Sequence, residues 1–167
     1  MGLLSFIKDA GEKLFGKGQA HAATEAAKAD PTPEKIAEAS QSAGDAIVQY
    51  IRAMNLDAEG LRVEFDAPTG KASVWGMAAD QETREKIVLC CGNVAGVGEV
   101  EDNMDTAAAA DESTYHTVER GDTLSKIAKE AYGNANKYMA IFEANKPMLS
   151  HPDKIYPGQM LRIPPEA

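Results

Sequence analysis

Residues 114–165 alternate strand and helix signals in an order that leaves little freedom of fold. Residues 115–118 form a short run of aromatic and β-branched residues, broken by Arg120-Gly121-Asp122. Asp122 is a candidate cap for a helix in which Leu124, Ile127, Ala128 and Ala131 recur at helical spacing. Gly133-Asn134 supplies the stop expected just past a last helical turn. A second helix places Tyr138, Ile141, Phe142 and Asn145 on one face and ends before Lys146-Pro147. Tyr156-Pro157-Gly158-Gln159 reads as a tight turn, and Met160-Leu161-Arg162-Ile163 as a returning strand. The expected order is β-α-α-β.

Three blocks of this segment, YHTVERGDTLSKIA, YGNANKYMAIFEAN and IYPGQMLRIP, resemble the LysM domain in the same order. The resemblance implies that the two strands pair. It also implies a groove for N-acetylglucosamine polymers between Gly121, Asp122, Thr123 and Leu124 on one side and Ile155, Tyr156, Pro157 and Gly158 on the other. Small residues at such loops let a sugar approach the backbone, while apolar atoms pack on its acetyl group.

At 167 residues the chain has room for one or two small domains. A net charge of -9 and a pI near 4.8 argue against nucleic acid, which needs a basic patch. Cys90 and Cys91 are adjacent, a spacing that does not make a secretory disulfide framework. The opening MGLLSFIKDAGEKLF lacks a continuous apolar core, and no stretch approaches the roughly 20 apolar residues of a membrane span. These features lead us to expect a cytoplasmic protein.

Upstream of the LysM-like segment a helix, a linker and a second unit are expected. Residues 1–18 form an amphipathic helix with Leu3, Ile7, Ala10 and Leu14 in one row, and the alanine-rich residues 19–32 form a linker. Residues 33–105 form an α-β-β-α-β unit. Pro33 opens its first helix, whose buried face carries Ala43, Ile47, Ile51 and Met54. Leu61, Val63 and Phe65 alternate inward on a strand that leads into a hairpin turn at residues 67–70, and Lys71 to Met77 return as a second strand. Asp80 caps a helix buried at Ile87, Cys90, Cys91 and Val94, and a third strand lies near Val100. Residues 106–113 connect to the LysM-like unit at 114–167. The fold class is α+β.

The blocks LRVEFDAPTGKASVWGMA and GNVAGVGEVED resemble a BON domain. With the N-terminal segment before it and the LysM-like unit after it, the whole layout is similar to the small cytoplasmic potassium-binding BON–LysM proteins of bacteria. That resemblance implies potassium as the ligand and an osmotic-stress role as sensor or buffer. It implies a site built from backbone carbonyls of Gly92, Val94 and Val97, closed by carbonyls near Ile7 and Ala10. Glycine-rich backbone can turn several carbonyls to one point, and a helix C-terminus adds partial negative charge. The bland alternative for residues 91–98 is an ordinary helix stop and loop. The implied mechanism is an intramolecular contact between the BON and LysM units, made when the ion is bound, in a chain expected to be a monomer.

Other sites are weaker. Residues 99–105 lack the spacing and distal Glu of a calcium loop. His21, His116 and His151 form no pair at metal-ligand spacing, and His116 reads as a surface strand residue. The cysteines read as buried apolar residues. No nucleophile elbow or phosphate loop is present, so no enzyme is expected. The polar face opposite the apolar row near the N-terminus mixes Asp9 and Glu12 with Lys8 and Lys13, so weak attraction to anionic lipid is expected.

Overall fold

In the computed structural model the described residues are 2–6 and 19–166. Among them the chain is α+β, with two sheets. The first has four strands in the order β1-β4-β3-β2. Its strands β2 (Glu59–Asp66) and β3 (Lys71–Ala78) form a hairpin, and β3 pairs in parallel with β4 (Glu99–Thr106). The hairpin turns at Gly70, whose φ of 74° is open to glycine without strain. Leu61, Val63 and Phe65 point to the core, as their alternation predicts, and meet Ala43, Ile47 and Ile51 of α2 (Pro33–Ala53). A Cβ on Gly44 would stand 2.7 Å from the Val63 carbonyl oxygen, so α2 lies almost on the backbone of β2. Helix α3 (Gln81–Gly92) begins at Asp80, whose carboxylate accepts from Thr83 N at 2.7 Å. It buries Ile87, Cys90 and Cys91, and Val94 beyond its end is buried too.

Two expectations for the N-terminal third are corrected. Gly2–Ser5 is a strand, β1, and not the start of a helix; it pairs antiparallel with β4, Leu4 opposite Val100. The apolar residues at 3, 4 and 6 suit either geometry, but β4 would otherwise leave an unpaired sheet edge there, and tertiary pairing overrides helix propensity. Ile7 to Gly18, the rest of the expected helix, lie outside the described residues. The alanine-rich segment is no linker. Gln19–Ala29 forms helix α1, packed on α2 with Ala20, Ala23, Thr24 and Ala27 buried. Alanine gives a weak hydrophobic pattern yet lets helices approach closely, so the contact is real while its signal in the sequence is faint.

The second unit follows the expected β-α-α-β order. Strands β5 (Thr114–Thr117) and β6 (Met160–Ile163) pair antiparallel, with Tyr115 opposite Arg162. Between them run α4 (Leu124–Tyr132), a 3-10 turn at Ala135–Lys137 and α5 (Tyr138–Ala144). Gly133 ends α4 in the left-handed region at φ 71°. The cap of α4 is Thr123, accepting from Lys126 N at 3.1 Å, and not Asp122. Asp122 instead closes the preceding turn, accepting from Glu119 N at 2.9 Å and from Lys126 Nζ at 3.0 Å. His116 Nε2 lies 2.9 Å from the same carboxylate, so His116 is a half-buried partner of Asp122 and not a plain surface residue.

The two units meet along α3. The Glu85 carboxylate, its side chain 4% exposed, accepts from Gln81 Nε2 at 2.9 Å, Ser113 N at 2.8 Å and Arg162 Nε of β6. Burial alone would raise the pKa of Glu85, but these donors outweigh it and hold the group below the ordinary glutamate value. A depressed carboxylate stabilises the fold above its unfolded pKa of about 4.3 and ceases to do so as pH falls through the folded value. Asp80 and Asp122, both lowered chiefly by main-chain donors, act in the same direction. Urea midpoints at pH 7, 5, 4 and 3 should therefore stay level to about pH 5 and fall steeply below it. A midpoint unchanged at pH 3 would contradict this account.

Candidate functional site

The end of α3 and residues 92–98 form a tightly enclosed bend. Asn93 caps α3, its N–H bonding back to Leu89 O at 2.9 Å, and Val94 N reaches Cys91 O at 3.3 Å. Val97 N then bonds to Val94 O at 3.1 Å, and Gly96 turns the chain at φ 95°. Gly92, Val94, Gly96 and Val97 are all buried. Three segments distant in sequence wall the bend in. Just past β1, the Phe6 ring lies so close to Gly92 that a Cβ there would sit 2.0 Å from Phe6 Cζ. Phe6 N also donates to Gly98 O at 2.8 Å. From α1, a Cβ on Gly96 would stand 2.5 Å from His21 N and 2.7 Å from the Ala20 carbonyl carbon. From the β2–β3 hairpin, Gly70 O accepts from Gly98 N at 2.9 Å.

The chemistry offered at this bend is that of neutral carbonyl oxygens. The last carbonyls of α3 carry the negative end of its dipole, and no basic side chain stands in its last turn to neutralise them. Among the described residues, no group of three or more His, Cys, Asp or Glu is placed to hold a metal ion. A donor set of this kind suits a large monovalent cation better than a small divalent one, which takes carboxylates. Of the five positions expected from the sequence, Gly92, Val94 and Val97 share this one bend. Ile7 and Ala10 lie outside the described residues.

The second site expected from the sequence would draw on two loops. Val118 N donates to Gln159 O, and Gly158 N donates to Val118 O, both at 2.8 Å, which ties the turn of residues 155–158 to Val118, just past β5 and upstream of the 121–124 loop. Pro157 and Gly158, the latter at φ 87°, make the turn, with Gln159 N bonded to Tyr156 O at 3.1 Å. Gly121 and Thr123 are exposed, whereas Leu124 is buried in the core of the unit. Tyr156 lies close enough to Tyr50 of α2 for the two phenols to interact electrostatically, and Tyr50 is hydrogen-bonded to Cys90. Burial pushes the Cys90 thiol up to about 12 and Cys91 higher still, which suits inert packing residues.

Several residues of this arrangement escaped the sequence reading. Phe6 and Ala20 are ordinary apolar residues whose role comes from what they touch. Glu85 and Gln81 continue the buried side of α3 with polar groups, against the pattern that marks a core face. No helix among the described residues is long and apolar enough to cross a membrane.

The LysM domain family matches residues 116–164. A potassium binding protein Kbp from Escherichia coli O6:H1 is 46% identical over 166 residues, covering 99% of this chain and 100% of the relative. An uncharacterized protein of Deinococcus radiodurans is 51% identical over 51 residues, which is 30% of this chain and 19% of that protein.

Proposed function

Because this chain belongs to the family of the potassium binding protein Kbp, matched at 46% identity over nearly its full length, we propose that it binds potassium at the bend of residues 92–98. The observation that carries the reading is the enclosure of that bend. Carbonyl-bearing backbone at the negative end of α3 is walled by Phe6, the start of α1 and Gly70, in surroundings where a dehydrated ion would be shielded from water. Carbonyls of Gly92, Val94 and Val97 serve as ligands, and those near Ile7 and Ala10 complete the shell. The chain acts as a binding protein in the cytoplasm, a sensor or buffer, and not as an enzyme.

Binding favours the compact arrangement because the walls come from elements that are far apart in sequence. An ion can shift such an equilibrium only through its differential affinity for the closed form. Potassium chloride is expected to give a saturable heat in isothermal titration and a smaller radius of gyration in small-angle scattering, with sodium chloride giving neither. Superimposable scattering in the two salts would defeat the compaction, and the absence of potassium heat would defeat the binding. Deleting residues 1–15 should weaken the affinity, and an unchanged affinity would remove Ile7 and Ala10 from the site.

A glycan role for the second unit is supported by its match to the LysM domain family and by the bonds that tie the 155–158 turn to Val118. Retention of the chain on purified peptidoglycan would establish it.

A further inference from the structure

Strand β6 has β5 on one side only, so its other edge should present unpaired main-chain groups. Met160 and Arg162, two residues apart, direct their N–H and C=O toward that edge. Each is satisfied by the side-chain amide of an asparagine. Asn145 of the same unit serves Arg162, accepting from Arg162 N at 2.7 Å and donating to Arg162 O at 2.9 Å. Asn93 serves Met160 in the same manner, accepting from Met160 N at 3.1 Å and donating to Met160 O at 3.0 Å. The first clamp is internal to the second unit. The second crosses from the first unit, and Asn93 stands between Gly92 and Val94, two of the proposed ligands.

We infer that Asn93 is the positioning residue that couples the potassium bend to docking of the second unit. The inference rests on the potassium reading given above. Both bonds engage one residue of β6, so a displacement of Met160 by about an ångström lengthens both beyond hydrogen-bond range. Asparagine alone among the short side chains supplies a donor and an acceptor from one planar group; aspartate at neutral pH lacks the donor, and serine has a single oxygen. The carbonyls on either side of Asn93 are therefore oriented by whether β6 is in place. Conversely, an ion that fixes those carbonyls fixes Asn93 to receive β6. Coupling of this kind is reciprocal.

The test uses the full chain and potassium chloride. In the parent protein, potassium should slow amide hydrogen exchange in residues 92–98 and at Met160 together. In Asn93→Ala, potassium affinity is expected to fall about tenfold, within the usual range for coupled sites, and potassium should no longer slow exchange at Met160. Asn145→Ala removes the equivalent clamp within the second unit and is expected to leave potassium affinity within about twofold while lowering stability, since it touches no part of the bend. Should Asn93→Ala not fold, Asn93→Gln, which displaces the amide by one methylene, is expected to show the same loss. If the folded variant keeps the parent affinity and still protects Met160 on potassium addition, the coupling is overturned while the potassium reading stands. If the parent chain shows no potassium heat, the functional reading fails first and takes the coupling with it.

Discussion

Arg162→Met is expected to lower the unfolding free energy by about 3–5 kcal/mol, the range for stripping one partner from a buried ion pair. The Arg162 and Glu85 side chains are 8% and 4% exposed. Without the guanidinium the carboxylate is held by Gln81 Nε2 and Ser113 N, at 2.9 and 2.8 Å. Two neutral donors compensate a buried charge only in part. Protonating Glu85 would relieve the cost, so the variant should lose less stability than the parent between pH 6 and 4. Glu85→Met with Arg162→Met removes the charge altogether and should be less damaging than the two single changes summed. It should not regain full stability, because Gln81 and Ser113 would then lack an acceptor, at about 1–3 kcal/mol for each group left unsatisfied. Urea denaturation at pH 7 provides the measurement. A loss below about 0.5 kcal/mol for Arg162→Met would place it among neutral surface changes and sink this view of the seam.

Gly96→Ala should be comparably severe and should also abolish potassium binding. At φ 95° an alanine carries backbone strain, and its Cβ would press on main-chain atoms of Ala20 and His21 at 2.5–2.8 Å. Main chain cannot swing aside as the end of a side chain can. Strain and overpacking are each worth about 1–3 kcal/mol, for a combined loss of about 2–6 kcal/mol. Gly121→Ala supplies the control: its φ of 91° is as demanding, but nothing lies within 4 Å of the added carbon. Only the strain remains there, and potassium binding should be untouched. Equal losses at the two positions would show that the close approach of α1 to the bend contributes nothing. Thermal unfolding and isothermal titration on the same samples separate the two effects.

The expectations that held rest on signals local in sequence. Leu61, Val63 and Phe65 alternate because one face of β2 is buried, and Gly133 stops α4 because the chain there adopts a left-handed turn. Asp80 caps α3 through a bond three residues away. Such devices act over a few residues and leave a mark in residue type. The expectations that failed concern faint or ambiguous marks. Helix α1 packs through alanines, and β1 takes its conformation from β4, almost a hundred residues away in sequence. Asp122 had the chemistry of a cap, yet Thr123 took that place while Asp122 turned to Glu119, His116 and Lys126.

The amino-acid order by itself determined the succession of elements from residue 33 onward, the net charge of -9 and the glycine-rich stretch after α3. Periodicity, turn chemistry and net charge are properties of neighbours or of sums, and they are legible without coordinates. Tertiary structure alone decided which atoms surround that stretch: the ring of Phe6 over Gly92, the start of α1 against Gly96, and the Asn93 amide on Met160. A main-chain oxygen is the same atom in every residue, so a site made of carbonyls has no side-chain signature. Its donors are selected by the way distant segments converge, and that convergence exists only in the folded chain.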